Sequence, residues 1–201
     1  MLNYEINEAA NMKIARSMVK GPGAKAALPV IFRVCARIPT RLLAALCDFG
    51  GSIYILGPSG SYVRASKTLR DLNISPAYWG ATPAALFVVA ERTLYVHDVK
   101  DGVIAHEMGH MLDAFLGSGA YLSKSDGALR AAYNDARIFV SYYAACGADE
   151  WVAEGFRSML GFELESFPAT SPERLKECSP YLFDLIDGAF RRTALELPQA
   201  A

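Results

Sequence analysis

The residues with the clearest chemical potential are His106-Glu107-Met108-Gly109-His110, which have the pattern HExxH. Residues four apart lie on one face of an α-helix, so the imidazoles of His106 and His110 can offer nitrogen atoms to a single metal ion. Glu107 would lie beside such a metal, where its carboxylate can take a proton from a bound water. The pattern therefore predicts a metal site that activates water for hydrolysis.

The strength of this prediction depends on a third ligand, because two histidines can also simply pack on an ordinary helix. The chain has three histidines, and two of them fall in this stretch, which favours the metal site. An extended HExxH pattern with a third histidine would need glycine at 113 and histidine at 116, but the chain has Asp113 and Leu116. The remaining histidine, His97, falls in a strand-like segment, where we expect a structural role.

Three acidic residues are candidates for the third ligand: Asp113, Glu150 and Glu154. Two histidines with one carboxylate would leave the fourth position of a zinc ion open to water, as a hydrolytic site requires. Glu150 and Glu154 are four apart in a helical pattern, so one can bind metal while the other orients a ligand imidazole. The alternative is a solvated acidic face. The residues alone leave the choice among the three acids open.

The elements that must position these side chains predict an α+β fold. Apolar residues surround the two histidines and predict a buried helix that ends near Gly117: Val103, Ile104, Met108, Met111, Leu112 and Phe115. Strand-like runs occupy 52–56, 86–90 and 93–97, and the last two predict a hairpin around Glu91-Arg92. Helical patterns cover 5–20, 24–37, 41–48, 66–73, 126–139, 148–160 and 180–196.

Composition excludes several classes of protein. The chain has 201 residues, of which 52% are hydrophobic and 20% charged, as expected for a compact globular protein. A net charge of −1 provides no general attraction to nucleic acid. The apolar stretch 26–56 is interrupted by charges and does not predict a membrane span: Arg33, Arg37, Arg41 and Asp48.

The same features give expectations about domains and location. We expect one domain over 1–201, with a core at 52–160 and with 1–23 as a possible loose N-terminal arm. The four cysteines show no metal or disulfide pattern and are expected to be free thiols. Because no secretory signal is visible, we expect a cytoplasmic protein, with export by a signal-independent route as the alternative. The oligomeric state is left open.

Three segments carry a resemblance to a known family. They are His106-Glu107-Met108-Gly109-His110-Met111-Leu112-Asp113, Ser141-Tyr142-Tyr143, and Asp149-Glu150-Trp151-Val152-Ala153-Glu154-Gly155-Phe156. Together they resemble the catalytic domain of the anthrax lethal factor-like metallopeptidases, a group that includes the clostridial Pro-Pro endopeptidases, and the Mlc titration factor A peptidases have a related site. The resemblance covers 103–160 and not 1–50. Trp151-Val152 stands where two aromatic residues are usual, a departure expected to alter packing rather than chemistry.

The resemblance implies a role for each candidate residue. His106, His110 and Glu150 would be zinc ligands, and Glu107 would be the general base. Tyr143 would stabilise the oxyanion, with Tyr142 as the competing candidate. Glu154 would orient a ligand imidazole, and Asp113 would support the helix or a ligand. The implied fold is zincin-like: a small twisted sheet packed on the HExxH helix, with a helical C-terminal part that supplies Glu150.

The function expected from these features is a zinc-dependent metalloendopeptidase that hydrolyses peptide bonds through a zinc-bound water. Its partner would be a peptide or protein substrate, extended along an edge strand near 93–97, and neither nucleic acid nor membrane is expected. The alternative is a metal-binding interaction protein, for example one that sequesters a DNA-binding regulator, with slight peptidase activity. Glu107 disfavours that alternative, because binding alone needs no base. A toxin-like effector with narrow activity would be a subtype of the enzyme.

Overall fold

The structure, a computed structural model, describes residues 4–73, 82–163 and 171–192. Its α-helices are α1 (Glu8–Met18), α2 (Ala24–Cys35), α3 (Thr40–Asp48), α4 (Tyr62–Ala65), α5 (Lys67–Asp71), α6 (Asp101–Leu116), α7 (Leu122–Ser125), α8 (Gly127–Asp135), α9 (Ala148–Met159), α10 (Pro172–Cys178) and α11 (Pro180–Arg191). Its strands are β1 (Val19–Lys20), β2 (Ser52–Ile55), β3 (Ala85–Val88) and β4 (Thr93–Val96). Short 3₁₀ turns cover Val89–Glu91 and Tyr143–Cys146. The predicted mixture of a small sheet with many helices is confirmed.

The four strands form one sheet in the order β1-β2-β4-β3. The hairpin predicted from two alternating runs is confirmed, since β3 pairs antiparallel with β4 across Arg92, which has a left-handed backbone. The expectation that 93–97 forms the edge of the sheet is wrong, because β2 pairs in parallel with the other side of β4. A hairpin pattern cannot show which of its two strands faces outward, since that depends on a third strand distant in sequence. The edge on this side is β3.

The N-terminal helix belongs to the core. Ala15 and Met18 of α1 are buried, and the Asn11 amide donates to the carbonyls of Cys35 and Ile38 at 2.9 and 2.8 Å. The chain then continues into β1, where Val19 pairs with Ile53. The expectation of a loose arm over 1–23 is therefore corrected for 8–20. Local sequence could not reveal the β1 pairing, because two residues carry no alternating pattern.

Helix α6 is the buried centre of the fold. Every residue from Ile104 to Phe115 is buried. Gly109 faces α9 at very short range: a Cβ atom at this position would lie 2.6 Å from the Ala153 Cα. The missing side chain therefore lets α6 and α9 cross closely, and this crossing places the acidic residues of α9 beside the histidines of α6.

Helix α9 is held from its other side by the C-terminal helices. The indole Nε1 of Trp151 donates to Ser179 Oγ at 3.1 Å, and Gly155 allows Leu182 of α11 to approach. The predicted C-terminal helical part is thus present up to Arg192. The predicted helix over 126–139 ends earlier, at Asp135, because Ala136 has an extended backbone. The last part of the predicted helix over 180–196, beyond residue 192, lies outside the described residues.

Among the helices that the structure describes, none combines the length and apolar character needed to cross a bilayer.

Candidate metal centre

The two histidines of the HExxH pattern face the same space. Both lie on α6, both are buried, and their ring centroids are 4.9 Å apart with the ring planes nearly perpendicular. Their separation of four residues is close to one helical turn, so this proximity follows from the helix alone.

Glu150 completes the cluster from the first turn of α9. Its Oε2 atom lies 3.1 Å from His106 Nε2 and 3.4 Å from His110 Nε2. One ligand atom from each of the three residues lies within 4.8 Å of the others. Glu150 Oε2 is buried and makes no contact of hydrogen-bond geometry with the described residues. Two imidazole nitrogens and an unsatisfied carboxylate oxygen that converge on one point fit a zinc ion.

Charge in the cluster favours a cation at that point. Burial alone would lower the pKa of His106, but the carboxylates of Glu150 and Glu154 outweigh burial and raise it to about 9. Burial would likewise raise the pKa of Glu150, yet the two imidazoles hold it at about 2. The carboxylate is therefore ionised at neutral pH, and the nitrogens beside it attract positive charge, whether a proton or a metal ion.

Glu154 faces the opposite side of the His106 ring. Its Oε1 atom lies 2.8 Å from His106 Nδ1, so the ring turns Nε2 towards Glu150. Arg157 donates to both Glu154 oxygens, at 2.9 and 2.6 Å, and Ser141 Oγ donates to Oε2 at 2.5 Å. Burial would raise the pKa of Glu154, but His106, Arg157 and Ser141 together outweigh burial and lower the pKa to about 2. Glu154 therefore orients an imidazole and does not join the three converging ligands.

Asp113 is fully buried but bonded elsewhere. It accepts hydrogen bonds from the Ser123 backbone N–H and hydroxyl, at 2.9 and 2.5 Å, and so fixes α7 to the end of α6. Burial raises its pKa to about 6, partly offset by these bonds. The structure thus gives Asp113 the supporting role that was one of its two expected roles. His97, the third histidine, is exposed and lies outside the cluster.

Glu107 is buried beside the cluster. Burial raises the pKa of its carboxyl, while the imidazoles of His110 and His106 and a backbone hydrogen bond with Phe87 oppose that rise. Phe87 lies in β3, the edge strand, so this contact places the Glu107 carboxylate near that edge. The carboxylate therefore lies between the histidines and the edge of the sheet.

The structure separates the two candidate tyrosines. The Tyr143 ring lies 5.4 Å from the His106 ring and is 44% exposed, whereas the Tyr142 side chain is 87% exposed and has no ring contact among the described residues. Tyr143 begins a 3₁₀ turn, and the N–H of the next residue, Ala144, donates to Ser141 Oγ. This hydrogen bond fixes the start of the turn and holds Tyr143 beside the cluster. Of the two, Tyr143 borders the site.

Sequence reasoning missed several residues of the site. Tyr121 lies against His110, with 5.7 Å between ring centroids, and the Lys124 ammonium lies 4.9 Å from the Tyr121 ring centroid. Arg157 and Ser141 hold Glu154. Tyr121 and Ser141 lie outside the helices that carry the motif, so no helical spacing could have identified them. Arg157 could have been found, since it lies three residues after Glu154 on the same helix.

Comparisons with known proteins bear on the fold. No protein-family model matches the sequence, and no curated protein sequence matches it. Among solved structures, 37 chains match. One is the PRO-PRO endopeptidase (PPEP-2) from Paenibacillus alvei, with a TM-score of 0.58 and 18% sequence identity, over 87% of this chain and 98% of that chain. The fold of this chain is thus similar to that of a Pro-Pro endopeptidase.

Proposed function

We propose that this protein is a zinc-dependent metallopeptidase of the lethal factor-like kind that its motifs resemble. The observation that carries the proposal is the convergence of one ligand atom each from His106, His110 and Glu150 within 4.8 Å. The buried carboxylate of Glu107 beside them adds a base, which a purely structural metal site does not need. Likeness of fold to a Pro-Pro endopeptidase supports the same class of reaction.

Zinc is the proposed metal because imidazole nitrogen and carboxylate oxygen are among its usual ligands. His106, His110 and Glu150 would hold the ion, and Glu154 would keep the His106 ring in the orientation that it needs. When bound, zinc supplies a Lewis acid that polarises the substrate carbonyl and makes a water molecule more acidic.

Glu107 would act as the general base. Its carboxylate accepts a proton as the water oxygen attacks the carbonyl carbon of the peptide bond, and it then delivers that proton to the departing amine. Burial, which raises the pKa of this carboxyl, makes the carboxylate a better proton acceptor at neutral pH.

Tyr143 would stabilise the negative charge that develops on the carbonyl oxygen. Its hydroxyl must carry a proton to do so, and burial together with the nearby Glu150 and Glu107 carboxylates raises the pKa of Tyr143 to about 12. The phenol is therefore a hydrogen-bond donor throughout the neutral range, beside the His106 ring.

The substrate would extend along the outer edge of β3. In the described part of the chain, β3 pairs with β4 on one side and with no strand on the other. Helix α6 packs against β3, and the backbone of Phe87 is close enough to the Glu107 carboxylate to lower its pKa, so this edge borders the reacting groups. Backbone hydrogen bonds to such an edge are a common way to bind an extended peptide.

Peptide cleavage with controlled zinc content tests the proposal. Purified protein with one zinc per chain should cut members of a random peptide library, with products identified by mass spectrometry. Removal of the metal with a chelator should abolish cleavage, and added zinc should restore it. The variant His106→Ala/His110→Ala is the matched control and should remain inactive with added zinc. Peptides bound but never cut by the zinc-loaded protein would instead support an interaction protein.

A further inference from the structure

A surface pocket with two arginines lies beside the turn that carries Tyr143. Its volume is about 420 Å³. We call it the arginine pocket, and the residues that define it are Arg137, Phe139, Val140, Ser141, Tyr142 and Arg174. Among the described residues that line it, the charged ones are Arg137 and Arg174, and none is acidic. The pocket therefore presents positive charge against a partly apolar wall.

Both guanidinium groups are available to a ligand. Arg137 has no ion pair or hydrogen bond to any residue that the structure describes. Arg174 touches Glu177 at 3.5 Å, but these side chains are 50% and 70% exposed, and such a pair contributes little. Isolated arginines on a convex surface are commonly solvated, whereas these two line the same concavity. Guanidinium binds carboxylate and phosphate in a two-pronged, charge-assisted arrangement, and carboxylate is the one of these groups that unmodified peptide side chains carry.

The pocket is next to the candidate metal centre. Ser141, which lines the pocket, donates to Glu154, and Glu154 holds His106. Tyr142, which also lines it, directly precedes Tyr143 of the site. Consecutive Cα atoms are about 3.8 Å apart and an extended peptide advances about 3.3 Å per residue, so a substrate held at Tyr143 would bring a side chain to Tyr142 within a few residues of the cleaved bond.

The exposure of Tyr142 supports a binding role for this surface. Its side chain is 87% exposed, and the neighbouring Ile138 is 57% exposed. Arginine and tyrosine are enriched at the centres of recognition surfaces, where the aromatic ring covers the apolar part of a ligand. The Tyr142 ring lies outside the metal centre and lines the arginine pocket, where it can pack against a substrate side chain.

We infer that the arginine pocket is a subsite that binds an acidic side chain of the peptide substrate. This inference rests on the proposed peptidase function and specifies its substrate class: peptides with Asp or Glu within a few residues of the cleaved bond. Arg137 and Arg174 bind the carboxylate, and the Tyr142 ring covers its methylene groups.

The test scans Asp through each position of a cleaved peptide, with Asn at the same position as the uncharged control. Wild-type protein should prefer Asp at one position by roughly 3–10-fold in kcat/KM. Arg137→Ala/Arg174→Ala should remove the preference, so that the Asp and Asn peptides are cleaved with similar kcat/KM. Arg137→Glu/Arg174→Glu should instead prefer Lys there. Arg130→Ala, an exposed arginine of α8 outside the pocket, is the matched control and should keep the preference for Asp.

Two outcomes of the cleavage assay overturn the inference. One is cleavage by the wild-type protein with no position that prefers Asp. The other is a preference for Asp that survives in the double-alanine variant. If no peptide is cleaved at all, the proposed function fails, and calorimetric titration of the zinc-loaded protein with the same peptides still decides the inference. Binding that favours Asp and is lost in the double-alanine variant supports the subsite, and equal binding of Asp and Asn peptides overturns it.

Discussion

Arg157 and Glu154 form an ion pair in which both side chains are completely buried, with Arg157 Nη2 2.6 Å from Glu154 Oε2. The guanidinium also donates to the Phe162 carbonyl at 2.7 Å, and Glu154 also bonds His106 and Ser141. The pair therefore connects the interior of α9 to the orientation of His106.

Replacing Arg157 with Met should destabilise the protein by about 3–5 kcal/mol, because the Glu154 carboxylate would remain buried without its counter-charge. The free energy of unfolding, measured by urea denaturation, checks this. Arg191→Met is the matched control, since Arg191 pairs with Asp187 through a side chain that is 51% exposed, and its loss should destabilise the protein far less. Equal losses in the two variants would contradict the structural importance of the buried pair.

The three acids should differ in their effect on metal binding. Glu150→Ala should weaken zinc binding more than Glu154→Ala, which should cost roughly 10–100-fold in affinity because Glu154 acts through His106. Asp113→Ala should leave the metal largely in place, since Asp113 bonds Ser123. Competition with a zinc-binding dye measures all three affinities. A dominant effect of Asp113 would disprove the proposed ligand set.

Glu107 and Tyr143 should affect rate and not metal content. Glu107→Gln removes the proposed base and should reduce kcat by at least roughly 10²–10⁴-fold. Tyr143→Phe removes one donor to the oxyanion and should cost on the order of 10²–10³-fold in kcat. KM should change little, because both groups act mainly in the transition state.

Peptide cleavage by each variant, with zinc confirmed by elemental analysis, gives these values. Tyr142→Phe is the control for the tyrosine, since its ring stays outside the metal centre. If Tyr142→Phe costs the rate and Tyr143→Phe does not, the choice of tyrosine is wrong although the peptidase proposal survives.

Gly109→Ala should loosen the crossing of α6 and α9. The new Cβ would lie 2.6 Å from the Ala153 Cα, so backbone must move, at a cost of about 1–3 kcal/mol. Because that movement separates Glu150 from the histidines, zinc affinity should fall as well. Gly127→Ala is the matched helical control, since a Cβ there meets nothing within 4 Å. It should be neutral or slightly stabilising in the same thermal and zinc-binding measurements.

Glu91 should contribute to stability at neutral pH and lose that contribution in acid. Burial would raise the pKa of its carboxyl, but hydrogen bonds from Thr68, Tyr95 and Ser66 hold the pKa below its usual 4.5. A carboxyl whose pKa is lower in the folded state stabilises the fold above the unfolded-state pKa, and the stabilisation disappears as pH falls through the folded-state pKa.

Urea denaturation of wild type and Glu91→Gln between pH 7 and pH 3 tests this sign. The difference in unfolding free energy between the two proteins should shrink as pH falls through that range. A difference that stays constant with pH would show that the charge of Glu91 does not matter. Glu8→Gln, whose exposed side chain makes no ion pair or hydrogen bond with the described residues, controls for a general effect of removing one carboxylate.

Local sequence determined the parts of the site that lie within single helices. The separation of His106 and His110 matches one turn of α6, and the apolar residues around them predicted that this helix is buried. The same reasoning placed Glu150 and Glu154 on one face of α9. It also predicted the β3–β4 hairpin, since alternation and a turn are both local features. The resemblance to a metallopeptidase family could be recognised from these motifs alone.

Tertiary structure decided which of the three candidate acids lies beside the two histidines, a choice that local sequence patterns leave open. Helices α6 and α9 cross closely at Gly109, so only one turn of α9 can face the Nε2 atoms of His106 and His110. Glu150 lies on that turn, whereas Glu154 contacts Nδ1 on the other side of the His106 ring. Asp113 lies outside the cluster of His106, His110 and Glu150, and its carboxylate accepts hydrogen bonds from Ser123, beyond the end of α6.

Tertiary structure also decided which strand forms the edge of the sheet and which of Tyr142 and Tyr143 borders the site. The β2 pairing makes β4 an interior strand, and β2 is separated from it by the whole segment 56–92. Tyr143 and not Tyr142 reaches the site because Ser141, bonded to Glu154, sets where the 3₁₀ turn begins. Spacing along a chain reports which side chains share a face of one element. Which faces of different elements meet depends on packing contacts between residues distant in sequence, and only the folded structure contains those.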